Sequence, residues 1–178
     1  MQVLIIILII VVAIVVLFLI AGLVMSKQMA IEKSIVINKP LQQVFDYVKF
    51  VKNHDNFSVW AMMDPDMKKE YRGTDGQPGF VFAWDSAKNR NVGAGEQEIK
   101  NISEAKSITH ELRFLRPMQN VAIANFVFEP ASVNSTKLSW GFSCPMKFPM
   151  NTMKPMFENM LGKQLQTGLQ NLKTLLEK

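Results

Sequence analysis

The chain has 178 residues, with 20 Lys and Arg against 15 Asp and Glu, one Cys and two His. A single Cys excludes an intramolecular disulfide, and two His exclude a three-His zinc centre. The net charge of +5 comes from scattered residues, with no basic stripe interleaved with aromatics, so nucleic acid is not an expected partner.

Every charged side chain lies beyond residue 25, and residues 3–24 are apolar throughout apart from Gly22. At a rise of about 1.5 Å per residue, about twenty such residues cross the hydrocarbon of a bilayer as a helix. A cleaved signal would follow a basic region, run for roughly 7 to 15 apolar residues and end in a small-x-small site. Here no Lys or Arg comes first, and Ala21-Gly22-Leu23-Val24-Met25-Ser26 is a poor cleavage site. The sequence therefore predicts a retained single-pass anchor over residues 1–25, a linker over 26–30 and one domain over 31–178. Lys27 and Lys33 follow the apolar run, which by the positive-inside rule places the domain in the cytoplasm. The lone Cys144 agrees with a reducing compartment.

The domain opens with a strand at residues 31–37, where Ile31, Ile35 and Ile37 share one face. Pro40 suits the first turn of a helix, predicted over residues 41–50 with Leu41, Val44, Phe45 and Val48 as its apolar stripe. Residues 52–60 read as a loop or a short helical turn. From about residue 67 to residue 144, alternating runs broken by turn chemistry predict an antiparallel meander. Its strands are centred on Phe82, Gln97, Leu112, Phe126 and Trp140. With the strand before Pro40, about six are expected. From about residue 151 a long helix is predicted, capped by Asn151 or Thr152, with Pro155 tolerated in its first turn.

Strand, short helix, meander and long terminal helix is an uncommon order, and particular segments carry a resemblance. The entry Ile35-Val36-Ile37-Asn38-Lys39-Pro40-Leu41-Gln42-Gln43-Val44-Phe45 resembles that of the START-like (SRPBCC) superfamily, in its polyketide cyclase/dehydrase branch. Gly79-Phe80-Val81-Phe82-Ala83-Trp84, Gly93-Ala94-Gly95-Glu96-Gln97-Glu98-Ile99, Leu112-Arg113-Phe114-Leu115-Arg116-Pro117 and Thr136-Lys137-Leu138-Ser139-Trp140 are similar to later segments of that family. The resemblance implies an α+β helix-grip fold, a curved antiparallel sheet wrapped on the C-terminal helix with an apolar cavity between them. It further implies a hydrophobic ligand such as a lipid, isoprenoid or polyketide. It carries over no catalytic residue and no cofactor.

The inward-facing residues expected to bind that ligand are Phe82, Trp84, Gln97, Ile99, His110, Leu112, Phe114, Ala124, Phe126, Trp140 and Phe142, closed by Phe157, Leu161 and Leu165. A solid core made of the same residues is the competing expectation. The small side of Ala122, Ala124 and Gly168 is expected to leave room for a ligand. His110 shares phase with Leu112 and Phe114, which makes it the candidate polar group, able to orient a carbonyl or act as a base. Gln97 or Asn125 could also polarise a carbonyl, and His54 and Asp55 are adjacent in a loop without a dyad being expected there; Cys144 lacks a partner to lower its pKa, and Glu96 and Glu98 read as solvent-facing. Met146, Met150, Met153, Met156 and Met160 crowd one region. Thioethers can bind Cu(I), but an adaptable apolar entrance is the favoured expectation, and no metal site is assigned. The leading expectation is a membrane-anchored binder of a hydrophobic molecule. The alternatives are a cyclase or dehydratase acting on a hydrophobic carbonyl compound, and an interaction domain with a vestigial cavity and an unassigned protein partner.

Overall fold

The computed structural model describes residues 2–178. The apolar run forms one helix, α1 (Gln2–Val24), with mean hydropathy 4.0, long and apolar enough to cross a membrane. Only Gly22 of α1 is buried, so the helix projects away from the rest of the chain. β1 (Gln28–Ile37) starts three residues earlier than the sequence predicts and is followed by α2 (Leu41–Val48), a 3-10 turn (Val51–Asn56) and α3 (Val59–Met63).

The strands are β2 (Lys68–Arg72), β3 (Val81–Asp85), β4 (Ala94–Ser103), β5 (Ser107–Arg116), β6 (Asn120–Ser132) and β7 (Ser135–Pro145). They form one antiparallel sheet in the order β1-β7-β6-β5-β4-β3-β2, which is a meander closed by the return of β1 alongside β7. The sheet thus has seven strands where the sequence predicts about six. The addition is β2, whose Lys68, Glu70 and Arg72 alternate with Lys69 and Tyr71 and give no apolar signal.

After a 3-10 turn (Met150–Met153), α4 (Lys154–Leu176) runs across the concave face. Asn151 does not cap α4. Its amide instead donates to Gly22 O at 2.7 Å and Met25 O at 3.0 Å, carbonyls at the C-terminal end of α1. Pro155 lies in the first turn of α4, where its missing N–H costs nothing. The helix keeps close to β1: Lys33 lies beside Gly162, and Lys173 Nζ donates to Val36 O at 2.7 Å. The main core contains Ile37, Phe45, Val48, Phe57, Phe80, Ile108, Phe128, Leu138, Leu169 and Leu172, all buried between α2, α4 and the sheet.

Candidate functional site

Register places the predicted lining on one face. Phe82 pairs with Gln97, Gln97 with Leu112 and Leu112 with Ala122 across four strands. One pleat further along, Ile99 pairs with His110, His110 with Ala124 and Ala124 with Phe142. Trp84 lies opposite Gly95 and Gly95 opposite Phe114, while Phe126 pairs with Trp140. Because side chains alternate across a strand, these residues all point into the curve of the sheet.

They do not share one environment. Ile99, His110, Ala124, Phe126, Trp140 and Leu165 are buried. Phe126 and Trp140 stack at 4.8 Å, and Trp140 meets Phe57 and Trp60 edge-on. Gly168 opens no room for a ligand, since a Cβ there would sit 2.8 Å from the Trp140 ring; the space is already taken by the indole.

Phe82, Trp84, Gln97, Leu112, Phe114, Phe142, Phe157 and Leu161 are only partly buried, although they point inward. Two contiguous groups form. Tyr71, Phe82, Trp84 and Phe114 make a run of aromatic contacts at 5.4 to 5.9 Å. Phe114 also joins Leu112, Phe142, Phe157 and Leu161, which pack with Met29, Ala122, Cys144 and Met146.

The flank of α4 turned away from β1 carries Met160, Gln164 and Asn171, and Asn171 reaches Phe57 O just before α3 and Met62 Sδ within it. A groove of about 450 Å³ runs along this flank, lined by Met156, Asn159, Met160, Lys163 and Gln164. Among the described residues the buried Gln164 Oε1 has no hydrogen-bond partner. Met146 is buried while Met156 and Met160 are exposed, so the five thioethers occupy different surroundings.

His110 is completely buried, one inward position from Leu112 and packed against Phe126, and among the described residues neither of its ring nitrogens has a hydrogen-bond partner. Burial pushes its pKa well below the ordinary 6.5, with the neighbouring His54 adding to the shift. The ring is therefore neutral at physiological pH, with one donor and one acceptor unused. Sequence reasoning missed His54 as its neighbour. The two rings lie edge-on at 5.6 Å, and His54 Nε2 is 2.9 Å from Val48 O. Asp55 takes no part and pairs with Lys69 at 2.7 Å. Only their separate positions in the chain, fifty-odd residues apart, were visible in the sequence, and no spacing rule joins a loop to a strand.

Glu96 and Glu98 lie on the opposite, convex face. Arg113 bridges both of them and Glu111, and Arg72 also holds Glu96. These hydrogen bonds keep both carboxyls below their ordinary range. Burial raises the Cys144 pKa, which suits a small core residue and not a nucleophile. Among the described residues, no group of three His, Cys, Asp or Glu is placed to hold a metal ion.

The model of one protein family, polyketide cyclase / dehydrase and lipid transport, matches residues 28–177. No curated protein matches the chain in sequence. Among solved structures, norcoclaurine synthase from Thalictrum flavum, in complex with dopamine and hydroxybenzaldehyde, is similar with TM-score 0.63 at 9% identity, over 88% of this chain and 90% of that one. The Zhui aromatase/cyclase from Streptomyces sp. R1128 is similar with TM-score 0.62 at 13% identity, over 84% and 94%. The protein CV1439 from Chromobacterium violaceum is similar with TM-score 0.59 at 14% identity, over 84% and 97%. At such identities the likeness establishes the fold.

Proposed function

Since the chain belongs to the polyketide cyclase / dehydrase and lipid transport family, whose model spans residues 28–177, we propose that it is a membrane-anchored domain that binds a hydrophobic small molecule, such as a lipid or isoprenoid. Residues 1–25 are the anchor and the remainder is the binding domain, on the cytoplasmic side by the charge of Lys27 and Lys33. The observation that carries the reading is the incomplete cover of the concave face: inward-pointing Phe82, Trp84, Leu112, Phe114, Phe142, Phe157 and Leu161 remain partly exposed, and this open half is the proposed ligand cleft. Apolar walls with a few polar groups are what such a ligand requires.

Binding would proceed by burial, at about 25 cal/mol per Å² of apolar surface removed from water, less the costs of ordering and association. At the inner end, neutral His110 offers one donor or one acceptor to a ligand hydroxyl or carbonyl. Gln97, half-buried between Phe82 and Leu112, adds a second polar contact. The test is native mass spectrometry on residues 28–178, a span that holds the whole sheet and α4. A copurified apolar molecule, lost on truncation of Phe82 and Phe114, is expected. A domain free of ligand that also fails to bind a fluorescent fatty acid would overturn the proposal.

A catalytic reading is favoured by one observation, the buried, unpaired imidazole of His110 on the inward face that Leu112 and Phe114 share. In that reading the ring polarises or deprotonates a ligand carbonyl compound, as a cyclase or dehydratase requires. Incubation with aromatic β-dicarbonyl compounds distinguishes it: turnover by the native chain, absent from His110→Leu with binding retained, is the supporting result.

A further inference from the structure

Where the cleft opens relative to α1 follows from register and from one buried side chain. Gln28 pairs with Pro145, Phe114 with Asn120, Ala94 with Arg116, and Lys68 with Asp85. The start of β1, the end of β7 and the β5–β6 and β3–β4 loops therefore lie at one end of the sheet. So does the start of α4, because it follows the Met150–Met153 turn that holds α1 through Asn151. The partly exposed residues Trp84, Leu112, Phe114, Phe142, Phe157 and Leu161 all belong to this end. Ile37, Phe80, Ile108, Phe128, Leu138 and Leu172, which seal the interior, belong to the other.

The junction with α1 is a fixed joint. Fully buried Asn151 ties down two carbonyls at the end of α1, and Met146 N donates to Lys27 O at 2.8 Å on the other side of the connection. Gly22 packs so closely that a Cβ would lie 2.9 Å from the Phe148 ring and 3.0 Å from Thr152 Cγ2. Three residues separate α1 from β1, a span of at most about 10 Å. The helix and the open end of the domain consequently stay side by side.

The surface at that end suits a lipid interface. Leu115, Met118 and Phe148 are 54%, 58% and 41% exposed. Lys27, Lys88, Arg90 and Lys147 are exposed nearby, and none of them appears in an ion pair among the described residues. Apolar side chains interspersed with unpaired cations beside a membrane helix match the headgroup layer of an anionic bilayer.

We propose that the open end of the domain, through Leu115, Met118, Phe148, Lys27, Arg90 and Lys147, rests on the anionic lipid surface that α1 crosses, so that the cleft opens onto the bilayer and not onto bulk water. The inference rests on the proposed anchoring by α1 and adds an orientation to it.

The experiment uses the full chain in phosphatidylcholine vesicles containing phosphatidylserine and a headgroup nitroxide quencher, with Cys144→Ala as background. A fluorophore is attached at Met118→Cys or at Val133→Cys. Val133 lies at the far end of β6, a strand of 13 residues, roughly 40 Å away. Quenching at position 118, none at 133, and weaker quenching at 118 in vesicles without phosphatidylserine are expected. If the chain resists carbonate extraction yet 118 and 133 are quenched alike, or neither is, the orientation is overturned and the anchor stands. Undiminished quenching at 118 without phosphatidylserine overturns the anionic preference. Release of the chain by carbonate overturns the anchor itself.

Discussion

On β4, four residues separate a closed interior from an open one. Ile99 is wholly buried among His110, Ala124 and the sealed core, while Gly95 lies under the edge of Trp84 beside the half-exposed Phe114. Both ends belong to the same antiparallel strands and carry aromatic side chains on the inward face. What differs is the cover. At the far end α2 and the 3-10 turn bring Phe45, Val48 and Phe57 down onto the sheet with Leu169 and Leu172. At the near end Phe157 and Leu161 of α4, with Met29 and Met146, pack onto Ala122, Phe114 and Phe142 and leave those two rings partly exposed. In this chain the exposure of the concave face is thus set by which part of it the helices fail to cover, more than by small residues in the sheet.

Phe126→Ala should separate the two ends most sharply. It removes a ring stacked on Trp140 in the sealed half and should cost about 3–5 kcal/mol of stability in denaturant unfolding. A loss close to zero would mean that this half is not closed. Gly168→Ala comes next: the added methyl meets the Trp140 ring, and a destabilisation of about 1–3 kcal/mol is expected from the same measurement. Tolerance of that methyl would show spare volume beside the indole. Phe114→Ala, in the open half, should cost roughly 1 kcal/mol because only part of the ring is buried. Its effect should instead appear as weaker binding of a fluorescent fatty acid.

Acidification probes the boundary between the two ends. His110 and His54 are both held below their ordinary 6.5 by burial. As pH falls below about 6.5, the unfolded chain takes up protons that the folded chain refuses, so stability declines. Unfolding curves across pH 7.5 to 5 should show that slope, and His110→Leu should flatten it. Because that variant also removes two unpaired buried nitrogens, its stability at neutral pH should equal or exceed that of the native chain. A second decline belongs at lower pH, where protonation of Glu96 and Glu98 releases Arg113.

Much of this architecture was legible in the sequence, for identifiable reasons. Alternation placed Phe82, Leu112, Phe126 and Trp140 on one face because both the sealed and the open half are lined by apolar groups, and period two reports facing, not cover. For the same reason alternation could not tell a buried core residue such as Phe126 from a partly exposed one such as Phe114. β2 escaped because it is an edge strand whose Tyr71 is its only large apolar side chain. Asn151 has the residue type and position of a helix cap, yet its hydrogen-bond partners lie well over a hundred residues away in α1. Local rules cannot anticipate such a pairing. The room expected at Gly168 was filled by Trp140, a contact between α4 and β7 that neither segment announces.

The most direct test titrates a fluorescent fatty acid into the native chain and into Leu161→Trp, in which a larger side chain enters the cleft from α4 at a half-buried position. Melting temperatures are followed in parallel. Saturable binding by the native chain and its loss from Leu161→Trp, with melting unchanged, is the expected result. Equal binding by both chains, or no saturable binding by either, would contradict a ligand site in the open half of the grip.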